Sequence, residues 1–194
     1  MQDIDDYLMQ QFIKGDRDAF TQLVYRHKRD IFQFIMSRVR NYESASDLTQ
    51  DVFVKLFKSA DSYSAFGKFR PWLFRIAQNV VIDEHRKQQK CTILSLNTNM
   101  ASDQNEVSTL LDCLEDQSAD PSEELEFIEL QNIINQAVNS LPEKQRAALV
   151  LCQYHGMSYK EIAVIQKCPI GTVKSRIHNA LTKIRDFLKE NEIL

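Results

Sequence analysis

Apolar positions along this chain recur every three to four residues and almost never alternate, a periodicity that predicts helices and no sheet. Ile4, Tyr7, Leu8 and Phe12 mark a short first helix, stopped by Gly15, and Asp16 is placed to cap the next. The second helix carries Phe20, Leu23, Val24, His27, Ile31, Phe34 and Ile35 on one stripe, where His27 reads as a packed residue rather than a ligand. "SDLTQDVFVKLFKSA" predicts a third helix with Leu48, Val52, Phe53, Leu56 and Phe57 inward. Its outer face then holds Asp47, Gln50 and Asp51 with one apolar residue, Val54, among them, which is either a harmless exposed valine or a small partner-binding patch. A fourth helix, "FRPWLFRIAQNVVIDEHRKQQK", packs Trp72, Leu73, Ile76, Ala77, Val80 and Val81 and ends polar and basic.

The stripe is then interrupted. Residues 91 to about 122 are rich in Ser, Asn, Asp, Thr and Gln and read as a linker. Within it only Val107, Leu110, Leu111 and Leu114 keep helical spacing. Pro121-Ser122 opens a second helical region whose first stripe is Leu130, Ile133, Ile134, Ala137, Val138 and Leu141. Ser140 and Glu143, with Pro142 between them, start a further helix toward Tyr154.

After Gly156, Ser158 and Glu161 have the spacing of a capping box, in which each side chain satisfies the other's orphan backbone N–H. The helix so begun, Tyr159 to about Gln166, buries Ile162, Ala163 and Ile165, with the small Ala163 where a second helix would cross closely. A tight turn at Lys167-Cys168 leads to Pro169 and a longer helix. Short helix, turn and long helix is the order of a helix-turn-helix, whose second helix reads the major groove. At about 100° per residue, Val173, Ile177, Ala180, Leu181 and Ile184 form the packed back of that helix. Ser175, His178, Asn179 and Thr182 face the other way, flanked by Lys174 on one side and Arg176 on the other.

Charge sharpens this reading. The net charge of −3 argues against a polyanion partner only until its distribution is seen. Residues 68–90 hold six basic residues against Asp83 and Glu84, and residues 144–189 hold nine against Glu161 and Asp186. Residues 91–130 hold ten acidic residues and neither Lys nor Arg. Two basic blocks separated by an acidic span imply two separate contacts with nucleic acid. Cys91, Cys113, Cys152 and Cys168 show no C-x-x-C spacing, which fits reduced thiols in a cytosolic protein better than a zinc site. The acidic N-terminus has no apolar core of a secretory signal, and no window suits a membrane span, so membrane insertion is not expected. Gly-rich phosphate loops, nucleophile elbows and metal-ligand clusters are missing from the sequence, so neither an enzyme nor a cofactor or metal is expected.

The order of these parts resembles the group IV, or extracytoplasmic-function (ECF), sigma factors of the sigma-70 family, which direct bacterial RNA polymerase to promoters. "GDRDAFTQLVYRH" and "SDLTQDVFVKLF" resemble the block that docks on the β′ clamp helices of core polymerase. "KFRPWLFRIAQNVVIDEHRKQ" resembles the block that reads and opens the −10 element. "LPEKQRAALVLCQYHGMSYKEIAVIQKCPIGTVKSRIHNALTKIR" resembles the domain that reads the −35 element and sits on the β flap.

The resemblance implies an all-α chain of two small helical domains: residues 1–90 (region 2-like), an acidic flexible linker at 91–122, and residues 123–194 (region 4-like). It assigns −10 contacts to Asn79, Asp83, Arg86 and Lys87, with Asn79 holding a flipped-out base, and treats Trp72 as core. Polymerase contacts fall on Asp47, Gln50, Asp51 and Val54. Of the −35 residues, Ser175, His178 and Asn179 match base-facing positions and Lys174 and Arg176 phosphate-facing ones, with Thr172 beside them. The implied partners are core RNA polymerase, promoter DNA and an anti-sigma factor, in a bacterial cytoplasm and on the nucleoid when in holoenzyme. Lys167 departs from the family, standing where glycine is usual, so strain is expected in that turn. His178 and Asn179 replace residues that are often aromatic and Arg, which implies a different promoter preference. The rival reading, a helix-turn-helix regulator binding DNA alone as a dimer, leaves the N-terminal blocks and the acidic linker without a role.

Overall fold

A computed structural model of the chain describes residues 4–64, 68–95, 121–191 and 193, with side chains over 4–64, 68–88, 130–191 and 193. Among them are eight α-helices, one 3-10 turn and no strand. The chain divides into two compact units, the first carrying α1 to α4 and the second the bulk of α5 to α8. The four apolar positions expected in the linker, Val107 to Leu114, lie outside the described residues, as do the side chains of Cys91 and Cys113.

In the first unit, α1 (Ile4–Ile13), α2 (Arg17–Val39), α3 (Tyr42–Lys58) and α4 (Phe69–Ser95) follow one another, with the 3-10 turn at Ala60–Ser62 between the last two. Each junction has a local cause. Asp16 is extended, and its Oδ1 accepts from the N–H groups of Asp18 at 2.9 Å and Ala19 at 3.3 Å, capping α2. Arg40 ends α2 in the left-handed region (φ 55°), and Asn41 caps α3 at once by accepting from the Ser44 N–H at 2.8 Å. Helix α2 packs against α1, α3 and α4, around a core that includes Leu23, Ile31, Phe34, Val52, Leu56, Phe69, Leu73 and Phe74.

Three sequence expectations change here. Ile4 and Tyr7 are exposed, and α1 instead buries Asp5 and Asp6 with Leu8 and Met9. The acids are tolerated because each is bonded. Asp5 accepts from Arg26 Nε at 2.8 Å and pairs with His27 Nε2 at 2.8 Å, while Asp6 accepts from the Tyr63 hydroxyl. Phe57, expected inside, is 53% exposed at the rim of α3, where its ring meets those of Phe12 and Phe20 at 5.2 and 5.4 Å. Helix α3 also starts at Tyr42, ahead of the Ser46 where the quoted stretch begins.

The second unit contains α5 (Pro121–Ser140), α6 (Glu143–Gln153), α7 (Tyr159–Gln166) and α8 (Ile170–Glu190), with α8 lying against α5 and α6. Its core is aliphatic and small-residue rich: Ala137, Leu141, Ala147, Ala148, Val150, Leu151, Val173, Ile177 and Ala180 are buried. Ser140 does not cap α6. Its hydroxyl donates to the Ala137 carbonyl at 2.8 Å, and the extended Pro142 precedes the helix without a side-chain cap. Leu130 and Leu181, both expected to pack, are 39% and 47% exposed. Leu181 lies about 70° off the centre of the buried stripe of α8, beyond the reach of the helices beneath it. Ala163 is likewise only half-buried.

Candidate nucleic-acid interface

On α4 the buried residues Leu73, Ala77, Val80 and Val81 occupy one side of the helix. Asn79, Asp83 and Arg86, spaced i, i+4 and i+7, fall in a line on the opposite side. Asp83 and Arg86 are exposed and Asn79 is half-buried, with Lys87 exposed on the flank. Asp83 is braced between Lys55 of α3, whose Nζ lies 3.4 Å from its carboxylate, and Arg86 at 3.9 Å. Lys87 pairs with Glu84 at 3.7 Å. Pairs this exposed contribute little to stability, about 0–1 kcal/mol, so they can be exchanged for contacts to DNA.

Two residues that set this line were not anticipated. Arg38 of α2, although buried, donates from Nη1 to Gln78 Oε1 at 2.6 Å and lies over the Phe34 ring at 5.3 Å. This bond fixes the rotation of α4 at the residue next to Asn79. Trp72, expected in the core, is only half-buried and points to the same side as Asn79, two turns earlier. Its indole rests on Tyr63, with ring centres 4.9 Å apart, and near Phe69 at 6.3 Å. An aromatic triad held by a loop tyrosine is invisible to helical periodicity, which counts Trp72 as one more apolar position.

The expected polymerase face of α3 is open throughout. Asp47, Gln50 and Asp51 are exposed, and Val54 is 48% exposed among them. Spacing i, i+3, i+4 and i+7 puts all four on one side, opposite the buried Leu48, Val52 and Leu56.

The helix-turn-helix is built as the sequence implied, and its turn is strained. Ser158 Oγ accepts from the Glu161 N–H at 3.4 Å while Glu161 accepts from the Ser158 N–H at 2.8 Å, completing the capping box. Lys167 closes α7 with φ 49° and ψ 50°, a left-handed conformation that costs an ordinary residue about 1–2 kcal/mol relative to glycine. Its N–H and that of Cys168 both bond the Ala163 carbonyl. On α8, Ser175, His178 and Asn179 are exposed opposite Val173, Ile177 and Ala180, with Thr172 half-buried above them. Ser175 Oγ donates to the Thr172 carbonyl at 3.0 Å. Lys174 is exposed, but Arg176 is half-buried and turned back on the turn, with Nη1 3.3 Å from Cys168 Sγ. Gly171 has open space around the position of a Cβ, so nothing inside the protein requires a glycine there. Cys152 and Cys168 are free thiols, and burial pushes the Cys152 thiol up. No group of metal-ligating side chains and no membrane-crossing helix occurs among the described residues.

These two exposed helix faces lie in segments with known relatives. The sigma-70 region 2 family matches residues 23–91, and the sigma-70 region 4 family matches residues 131–184. The chain is 33% identical to the ECF RNA polymerase sigma factor SigW of Bacillus subtilis over 94% of its own length and 95% of that protein. It is 31% identical to the ECF RNA polymerase sigma-E factor of Escherichia coli K12, covering 91% of this chain and 90% of that one. Among solved structures it resembles the sigma factor RpoE of Bartonella quintana, determined in complex with the anti-sigma factor NepR. The TM-score is 0.69 and the identity 26%, over 88% of this chain and 96% of that one. It also resembles CnrH, determined with the cytosolic domain of CnrY, with a TM-score of 0.66 and 25% identity over 97% and 99% of the two chains. With both region families in order, a helix-turn-helix in the second, and relatives alike over nearly the whole length, the chain belongs to the ECF RNA polymerase sigma factors of the sigma-70 family.

Proposed function

We propose a division of labour within this sigma factor in which the outer line of α4 captures the opened −10 element and the outer face of α8 reads the −35 element. Membership of the family makes the chain a factor for promoter-specific initiation by RNA polymerase. The observation that carries the finer assignment is the line Asn79, Asp83 and Arg86, half-buried at Asn79 and exposed at the other two, along a helix whose other side is core. A side chain on that line can bind an extruded base without disturbing the fold, and each captured base offsets an unstacking cost of a few kcal/mol. Lys87 supplies a phosphate contact beside it. On α8, Ser175, His178 and Asn179 face base edges, and Lys174, Thr172 and the N-terminal turn meet phosphates. Arg176 reaches a phosphate by leaving Cys168.

Asp47, Gln50, Asp51 and Val54 form the contact with the β′ clamp helices, and the second unit rests on the β flap. Because RpoE and CnrH were each determined with a binding protein, we extend the same kind of control to this chain, held by an anti-sigma factor until needed. Its place of action is then the cytoplasm, and the nucleoid once in holoenzyme. The deciding experiment is promoter opening by holoenzyme carrying Asn79→Ala. Thermal stability should be nearly unchanged, while open complexes on duplex promoters fall. Full recovery on a promoter already melted through the −10 element would count against base capture by Asn79.

A further inference from the structure

Asp83 poses a problem for a helix that reads DNA, because an exposed carboxylate on its outer line repels phosphates. The neighbouring acid, Glu84, avoids the problem. It is half-buried off that line, pairs with Lys87 at 3.7 Å and accepts from Gln88 Nε2 at 3.2 Å. Asp83 is met instead from another helix. Lys55, in the last turn of α3, lies with its Nζ 3.4 Å from Asp83 Oδ2, and both side chains are about half exposed. On α3 Lys55 follows Val54 by one residue and Asp51 by four, so it stands at the edge of the face proposed to meet polymerase. Helices α3 and α4 pack against each other in the first unit, so the backbones that carry the two charges are held by the core between them.

A pair this exposed adds little stability. Its effect is on direction. Lys55 takes Oδ2, while Oδ1 faces Arg86 Nη1 at 3.9 Å, too far for a hydrogen bond, so Arg86 can be given up to a phosphate. Oδ1 then keeps its lone pairs for a donor approaching from outside. An ionised carboxylate can only accept. Cytosine, adenine and guanine each carry an amino group, whereas thymine presents carbonyl oxygens and a methyl group. We propose that Lys55 is a positioning residue for promoter reading: it fixes the Asp83 carboxylate so that Oδ1 accepts from the amino group of a base in the opened −10 element. The same cation offsets the charge that would otherwise repel the strand. The proposal rests on the reading of α4 as the −10 helix, and adds that a residue of α3 sets a base preference there.

Base preference tests it. Open complexes are measured with holoenzyme on promoters carrying each of the four bases at every −10 position. At one position the wild type should favour an amino-bearing base over thymine. Replacing that base by its analogue without the amino group should cost about fivefold or more. Lys55→Ala should lose the preference at that position, become indifferent to the amino group and leave the other positions unchanged. Lys55→Arg, which keeps a cation, should retain the preference. In an Asp83→Ala background Lys55→Ala should change nothing further there, because no carboxylate is left to orient. Thermal stability and affinity for core polymerase should stay those of the wild type. A Lys55→Ala variant that keeps the amino-group preference overturns the proposal. So does one that weakens every −10 sequence equally, the mark of a phosphate contact, or one that acts through polymerase affinity alone. If Asp83→Ala and Asn79→Ala both leave every base preference intact, the reading of α4 falls and takes the proposal with it.

Discussion

The two helices proposed to read DNA are held in place by different chemistry. Helix α4 is fixed within a bundle pinned by buried polar bonds: Arg38 to Gln78, Asp5 to Arg26 and His27, Asp6 to Tyr63. Helix α8 rests on aliphatic and alanine side chains of α5 and α6, and its entry is set by a backbone turn at Lys167. A directional hydrogen bond fixes the rotation of a helix about its axis, which an apolar stripe alone leaves loose. Capturing one extruded base demands that rotation be fixed. A groove-reading helix instead needs a defined angle of entry, and the turn supplies it.

The comparison can be broken most severely at Arg38. Arg38→Ala strands the buried Gln78 amide and removes the cation from the Phe34 ring, so we expect a loss of about 3 kcal/mol in the first unit alone. The chain has one tryptophan, Trp72, in that unit, so denaturant titration followed by its fluorescence isolates the effect. An unchanged midpoint would show that the bond does not hold α4.

Acid offers a second, smaller contrast. Desolvation pushes the Asp5 carboxyl up, but its hydrogen bonds and charge contacts with His27 and Arg26 outweigh that and hold it below the ordinary 3.8. A carboxyl lowered in the folded state stabilises above its unfolded value and loses that contribution as pH falls through its folded value. The first unit should therefore weaken as pH drops below about 3.8, and Asp5→Asn should flatten that dependence. Equal acid sensitivity in wild type and variant, again by Trp72 fluorescence, would contradict this.

The third change works on the other unit. Lys167→Gly relieves the left-handed backbone but adds unfolded-state entropy, leaving a net gain of about 0.5–1 kcal/mol. Calorimetry should show the second unit melting higher and the first unmoved. The smallest effect is expected at Gly171. With room for a Cβ, Gly171→Ala should stabilise α8 by about 0.5 kcal/mol, since glycine is a poor helix former. If the glycine exists to let DNA come close, the same change should weaken −35 binding. Tighter or equal binding would leave that glycine without a functional reason.

Periodicity alone placed the helices and most of their buried faces, because an apolar stripe every 3.6 residues can be buried in only one way. The Asp16 cap, the Ser158–Glu161 box, the exposed Val54 and the polar front of α8 were all legible, since each depends on residues a few positions apart. Two of the three errors share one character. Ser140 found the Ala137 carbonyl instead of capping α6, Asp5 and Asp6 went inside, and Trp72 settled on Tyr63 at the rim. In the last two, the outcome was decided by a partner outside the helix: Asp5 meets Arg26 and His27, Asp6 meets Tyr63, and Trp72 meets Tyr63. Local sequence fixes which face of a helix is apolar. Only tertiary structure decides which polar groups are paid for in burial, because that requires a bonding partner brought near by the fold.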